Sequence, residues 1–206
     1  MARPSGVRNH DFEEKRAGLL NALTEFALGS DLCRPSLRQF AIACATSEPN
    51  LRHYFGNRQG LVIAILANIG ERRVAAWQIP VGAARNPAEV LETYFRLSEA
   101  VVRKGGFIRA HAFGIIEGVA DPEIGRAYLD HVLDPSLTSI CRNLAATPGC
   151  PADDRTLRIA AIAILSPVLL AGLHQDLLGG KSAAPIDTRY LYQCLQSWLS
   201  TGLEAR

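Results

Sequence analysis

Cysteine pairing is the first thing this sequence lacks. Its five cysteines, Cys33, Cys44, Cys141, Cys150 and Cys194, are odd in number and no two form a C-x-x-C pair, which argues against a disulfide framework and a zinc knuckle. They read as small buried apolar residues of a reducing compartment. No long stretch alternates apolar and polar residues with period two, so no strand is expected. The most apolar run, Ile159 to Leu173, contains Ser166, Pro167 and Gly172 and falls short of the roughly 20 residues that span a bilayer. Met1 to His10 has no apolar segment of the kind a secretory signal requires. The expectation is a cytoplasmic protein with no membrane partner. Signatures of chemistry are missing too. There is no G-x-S-x-G, H-E-x-x-H, P-loop or G-x-G-x-x-G, and His10, His53, His111, His131 and His174 show no metal-ligand spacing. No catalytic residue, metal site or cofactor is expected, and the chain does not read as an enzyme.

What is present is an ordinary globular composition, 48% apolar and 20% charged over 206 residues, which excludes intrinsic disorder and is enough for a sizeable core. The net charge of +2 by itself suggests no partner. Its distribution does. Residues 1–73 carry ten Lys/Arg against seven Asp/Glu, and the rest of the chain carries twelve against thirteen. Between residues 34 and 58 stand Arg34, Arg38, Arg52 and Arg58 with a single acid, Glu48. Such a cluster suits a polyanion, although a solvated helix face would look the same.

Apolar residues recur at three and four almost throughout, so the fold class is all-α. Asp11 with Glu14 resembles a capping box opening a first helix that ends near Gly29. Ser36 with Gln39 caps a short second helix, and Ser47 caps a short third in which Pro49 is tolerated in the first turn. Asn57 caps a longer fourth, running toward Trp77 and Pro80. Further helices are expected from Asn86-Pro87 to about Lys104 and from Phe107 to Gly118. Another runs from Asp121-Pro122 to about Ala146, divided near Asp134 by Pro135. The last two span Asp153 to Leu178 and Asp187 to Leu203.

Two short helices joined by about four residues, the second capped by a serine and flanked by arginines, fit a helix-turn-helix whose second helix enters the major groove. The stretch SLRQFAIACATSEPNLRHYFGNRQGL, Ser36 to Leu61, resembles the signature of TetR-type (tetracycline-repressor-like) transcriptional regulators in register and without a gap. The matching positions are Ser36, Phe40-Ala41, Ser47, Leu51, Tyr54-Phe55, Arg58 and Leu61. Three positions depart from the pattern. The Ala-Gly-Val turn is Cys44-Ala45-Thr46, which loses the residue that most easily takes a left-handed conformation. Pro49 replaces a small residue, and Arg52 replaces the tyrosine that meets a phosphate. Arginine serves a phosphate or reads a guanine, so the operator sequence cannot be carried over.

The resemblance implies a regulator, here taken as a repressor, that binds palindromic duplex DNA as a dimer. A flexible arm over 1–10 would precede an N-terminal three-helix DNA-binding unit over 11–57. A linking fourth helix would lead into an effector-binding and dimerisation domain over 58–206. For DNA we select Arg38, Ser47, Glu48, Asn50, Arg52, His53, Tyr54 and Arg58, with Glu48 and Asn50 nearest the base edges. Arg58 is assigned to a phosphate because it lies in the first turn of a helix. Tyr54 and Phe55 read mainly as the plug of a small core. For a small, largely apolar effector we select Trp77, Phe95, Phe107, His111, Phe113 and Tyr128, against the alternative that these simply fill a core. The homodimer would form through 153–178 and 187–203, because the first of these helices is apolar nearly all round. Two rival readings share the fold: a helical ligand-binding or interaction module without DNA binding, and an unrecognised helical enzyme.

Overall fold

The computed structural model describes residues 5–29, 34–76, 82–103 and 106–204. No strand occurs among them, and the chain is all-helical as the periodicity predicts. In order, the helices are α1 (Ser5–Ala27), α2 (Leu37–Ala43), α3 (Glu48–Phe55), α4 (Arg58–Ala76), α5 (Pro87–Arg103) and α6 (Gly106–Ala120). They continue with α7 (Pro122–Tyr128), α8 (Asp134–Ala145), α9 (Asp154–Gly172), α10 (Gly180–Ala183) and α11 (Thr188–Glu204). A π-helical turn, Leu129–Leu133, joins α7 to α8, and another, Leu173–Leu177, extends α9. The division expected at Pro135 therefore occurs as a widened turn, with the proline in the first turn of α8, where no donor is lost.

Helix α1 starts before Asp11, so the capping box expected there does not form. Asp11 lies inside the helix and accepts a bond from Lys15 at 2.9 Å instead. Residues 5–10, assigned from sequence to a flexible arm, are the first turns of α1. The four-residue α10 lies between the last two helices expected from sequence.

The chain divides into two compact units. The first comprises residues 1–75 and 112–132, the second 76–111 and 133–206. In the first, Leu23, Phe40, Leu51, Leu61, Ile65 and Leu66 are fully enclosed. Between α1 and α4, Asn68 donates to Thr24 Oγ1 at 2.8 Å and Asn21 Oδ1 at 3.2 Å. The α6–α7 corner belongs to this unit too. There the two backbones meet so closely that a β-carbon on Gly118 would lie 2.8 Å from the Gly125 Cα.

In the second unit α8 packs on α9 and α5 on α11, around Leu91, Ile108, Leu144, Ile164, Leu165 and Val168. Gln196 donates to the Ala88 carbonyl at 3.2 Å, and Tyr192 stacks on Phe95 with centroids 5.2 Å apart. Helix α9 and its π turn continue unbroken through Ser166, Pro167 and Gly172 for 24 residues. The helix expected over Asp153 to Leu178 thus forms, and by length and composition alone it is long and apolar enough to cross a membrane. Its position is that of a core helix, with Ile164, Leu165 and Val168 turned into the second unit. Its other side carries Ile159, Ile162 and Leu170, which are exposed.

The turn between α2 and α3 shows how the missing glycine is accommodated. Thr46 N–H donates to the Ala41 carbonyl at 2.9 Å and Ala45 N–H to the Ile42 carbonyl at 3.2 Å, the paired bonds of a Schellman ending. That ending wants glycine at the position Ala45 occupies, and Ala45 takes a φ of +49°. A left-handed alanine costs about 1–2 kcal/mol through its β-carbon. Ala45→Gly is expected to regain about 1 kcal/mol after glycine's larger backbone entropy loss is set against this, seen as a raised midpoint in urea unfolding. An unchanged or lowered midpoint would show that the turn is not strained.

Candidate nucleic-acid interface

Both caps read from sequence form. Ser36 Oγ accepts from Gln39 N–H at 3.2 Å while Gln39 Oε1 accepts from Ser36 N–H at 2.8 Å, a complete capping box. Ser47 Oγ accepts from Asn50 N–H at 3.3 Å, and Pro49 sits in the first turn of α3, where its missing donor has no acceptor to lose. Leu51 and Phe55 turn the inner face of α3 into the first unit's core. Gly56, at φ +79°, ends α3, and Asn57 Oδ1 accepts from Gly60 N–H at 2.8 Å to start α4.

The outward face of α3 follows from this anchoring. Pro49, Asn50, Arg52 and His53 are exposed, Glu48 and Tyr54 half-buried, and Arg38 on α2 is exposed. Asn50 Nδ2 donates to Thr46 Oγ1 at 2.9 Å, which fixes its amide against the turn. Phe12 of α1 packs on Tyr54 at 4.9 Å and meets His53 edge-on at 5.5 Å, so Tyr54 belongs to the plug and His53 is held at the end of α3. The Arg38 and Arg52 side chains are exposed, and among the described residues no side-chain hydrogen bond or ion pair engages them.

Arg58 is placed otherwise. Its Nη1 and Nη2 donate to Glu117 Oε2 at 3.0 Å and Oε1 at 2.5 Å, and its Nε donates to the Pro35 carbonyl at 2.8 Å. Three of its five N–H groups thus point inward. Glu117 is fully buried and also accepts from Arg34 Nε at 3.3 Å. Beside this, Gln59 Nε2 donates to both oxygens of Asp121, at 3.1 and 3.0 Å. Burial opposes the charge of Asp121, but bonds from the Ile124 amide, Gln59 and the Glu123 amide, with the Arg34 charge, hold its carboxyl below the usual range. Glu117 and Asp121 lie outside the stretch that resembles the family signature, and Gln59 is not among its matching positions. The one sequence signal for Glu117 is a lone acid in the otherwise apolar second half of α6, where a buried charge demands a cation.

The residues selected for an effector fall in both units. Phe95, Phe107 and His111 belong to the second unit, Phe113 and Tyr128 to the first, and Trp77 lies outside the described residues. All five are buried. Phe107 meets His111 edge-on at 4.7 Å, and the ring of Tyr128 lies against Gly114 where a β-carbon would collide. Burial, with smaller contributions from Glu99 and Asp176, pushes the Tyr192 phenol up to about 12. A pocket lined by Val90, Leu91, Tyr94, Ile140, Asn143, Leu144 and Ile164 has a volume of about 10 Å³, close to what a single water occupies. None of the selected effector residues lines it. Cys44, Cys141 and Cys150 are half-buried free thiols whose pKa burial raises, which disfavours the reactive thiolate.

In fold the chain is similar to GusR of Salmonella enterica, with a TM-score of 0.63 over 93% of this chain and 95% of that one, at 19% sequence identity. No family model and no curated protein matches the sequence.

The geometry separates two kinds of arginine. Removing a partner from a buried ion pair leaves an uncompensated charge and costs about 3–5 kcal/mol, whereas an exposed unpaired side chain contributes within about 0.5 kcal/mol. Because Arg58 is partly accessible, with 26% side-chain exposure, solvent screening places Arg58→Ala toward the lower end of the first range. Arg52→Ala is expected to leave the urea midpoint unchanged. Equal losses from the two substitutions would contradict the inward placement of Arg58.

Proposed function

We propose that this protein is a DNA-binding transcriptional regulator, a repressor that grips duplex DNA through the Ser36–Asn57 helix-turn-helix. The observation that carries this reading is the outward face of α3. Two capped helices are anchored from within by Phe40, Leu51 and Phe55, leaving Asn50, Arg52 and His53 exposed on α3 and Arg38 exposed on α2. A helix so anchored presents side chains to base edges while neighbouring cations meet phosphates. The likeness in fold to GusR is consistent with it.

The dimer belongs to the same proposal. Ile159, Ile162 and Leu170 form a stripe along the exposed side of α9, and Tyr190 and Trp198 are exposed on α11, more apolar surface than water normally faces on two helices. A second copy covering it in two-fold fashion would give an isologous four-helix interface. The DNA would then be roughly palindromic, with half-sites about 34–36 Å apart or a multiple of that. The effector is a small, largely apolar molecule acting within the second unit, where it must part packed side chains to enter. By linkage, an effector favouring the DNA-incompetent arrangement weakens the operator by the factor by which the operator weakens it.

Two experiments test the proposal. Duplex DNA from beside the gene is expected to bind with an affinity that falls steeply with salt, and Arg52→Ala to cost about 1–3 kcal/mol of that binding. A loss equal on specific and random DNA assigns Arg52 to phosphate, and a larger loss on the operator assigns it to a base. Absence of binding at low salt would refute the reading. For the dimer, Leu170→Glu and Ile162→Glu are expected to yield folded monomers in sedimentation, since both side chains are exposed in the single chain. Leu169 and Leu173 pack partly on the core, so changing them would disturb the fold instead. An unmutated protein that sediments as a monomer at micromolar concentration would defeat the dimer.

A further inference from the structure

The Arg58 guanidinium lies where the two ends of the helix-turn-helix meet. Through Nε it holds the carbonyl of Pro35, just before α2, and it stands itself in the first turn of α4, just after α3. Both remaining nitrogens are taken by one carboxylate, Glu117 of α6. Arg34 reaches the same carboxylate from the start of the motif, and Gln59, next along α4, holds Asp121 at the cap of α7. The motif is therefore closed at both ends on the α6–α7 corner. That corner is itself tight, with Gly118 against Gly125. A planar guanidinium making a bidentate pair and a third bond has its orientation fixed.

We propose that Arg58 and Glu117 act as a positioning pair that sets the helix-turn-helix for DNA, with Arg58 making no phosphate contact of its own. This rests on the DNA-binding reading above and deepens it. A buried carboxylate in place of a phosphate at Arg58 changes which measurements respond. A cation lost from a phosphate contact lowers the salt slope of binding by about one and weakens all sequences alike. A positioning group lost from behind the motif leaves the slope as it was and weakens the specific site most, because base contacts demand the stricter geometry.

The test uses the full chain with two probes, duplex DNA from beside its gene and mixed-sequence duplex, in salt titrations. Arg58→Ala and Glu117→Gln are each expected to weaken the specific duplex by about tenfold or more, with the mixed-sequence affinity and salt slope unchanged. The double variant should be no weaker than the worse single one, since the pair acts as a unit. Thermal unfolding of each variant checks that it is folded at the assay temperature. Arg58→Lys supplies the second discriminator should Arg58→Ala not fold. Lysine keeps the charge but cannot make the fork, so positioning predicts a loss on the specific duplex, whereas a phosphate contact predicts near-full binding. A slope reduced by about one in Arg58→Ala but not in Glu117→Gln, or full activity of Arg58→Lys, overturns the inference. Failure of the unmutated protein to bind either duplex overturns the DNA-binding reading itself and the positioning role with it.

Discussion

The first unit depends on a carboxylate with no access to water. Burying an ionised carboxyl costs several kcal/mol unless cations and hydrogen bonds surround it, and Glu117 is wholly buried. The structure meets that demand with Arg58 in a bidentate pair and with Arg34 beside it. Once Glu117 is inside, the start of α2 and the start of α4 are both constrained, because Arg58 also holds the Pro35 carbonyl. The exposed face of α3 follows from that constraint and from Leu51 and Phe55 behind it. An apolar side chain in place of Glu117 would leave the two guanidinium groups without their shared acceptor. The bond from Arg58 to the Pro35 carbonyl would then lose the carboxylate that orients its guanidinium.

Much of this was legible in the sequence because local rules decide it. Ser36, Gln39, Ser47 and Asn57 act within three residues of themselves, and their caps form as the spacing predicts. The all-helical class followed from periodicity, which is also local. Ala45 shows the limit of such reading. The absent glycine was visible, but only the structure shows that the ending is retained and that alanine bears the left-handed angle. Asp11 with Glu14 satisfied the same capping rule and still formed no cap, because α1 continues through it.

The partners of Arg58 were not legible. Glu117 lies 59 residues away, and no local pattern links the two. A first-turn arginine suggested phosphate, whereas in the structure its guanidinium is paired with Glu117. The apolar helix α9 makes a similar point in the second unit. Its residues named from sequence as one all-round surface separate into Ile164, Leu165 and Val168 inside and Ile159, Ile162 and Leu170 outside. Composition gives the excess of apolar area, and only packing says which side is left over. Of the residues selected for an effector on the resemblance and on composition, Phe95, Phe107, His111, Phe113 and Tyr128 are buried, some in each unit.

The central claim is that DNA is held by the face built on α2 and α3. Hydrogen–deuterium exchange on the full chain, with and without duplex DNA from beside its gene, tests it most directly, since it locates protection residue by residue. The account predicts new protection concentrated between residues 36 and 57, with the amides of α9 and α11 unchanged by DNA. Protection that appears elsewhere and spares this segment, or no protection at a DNA concentration where low salt favours binding, would contradict it.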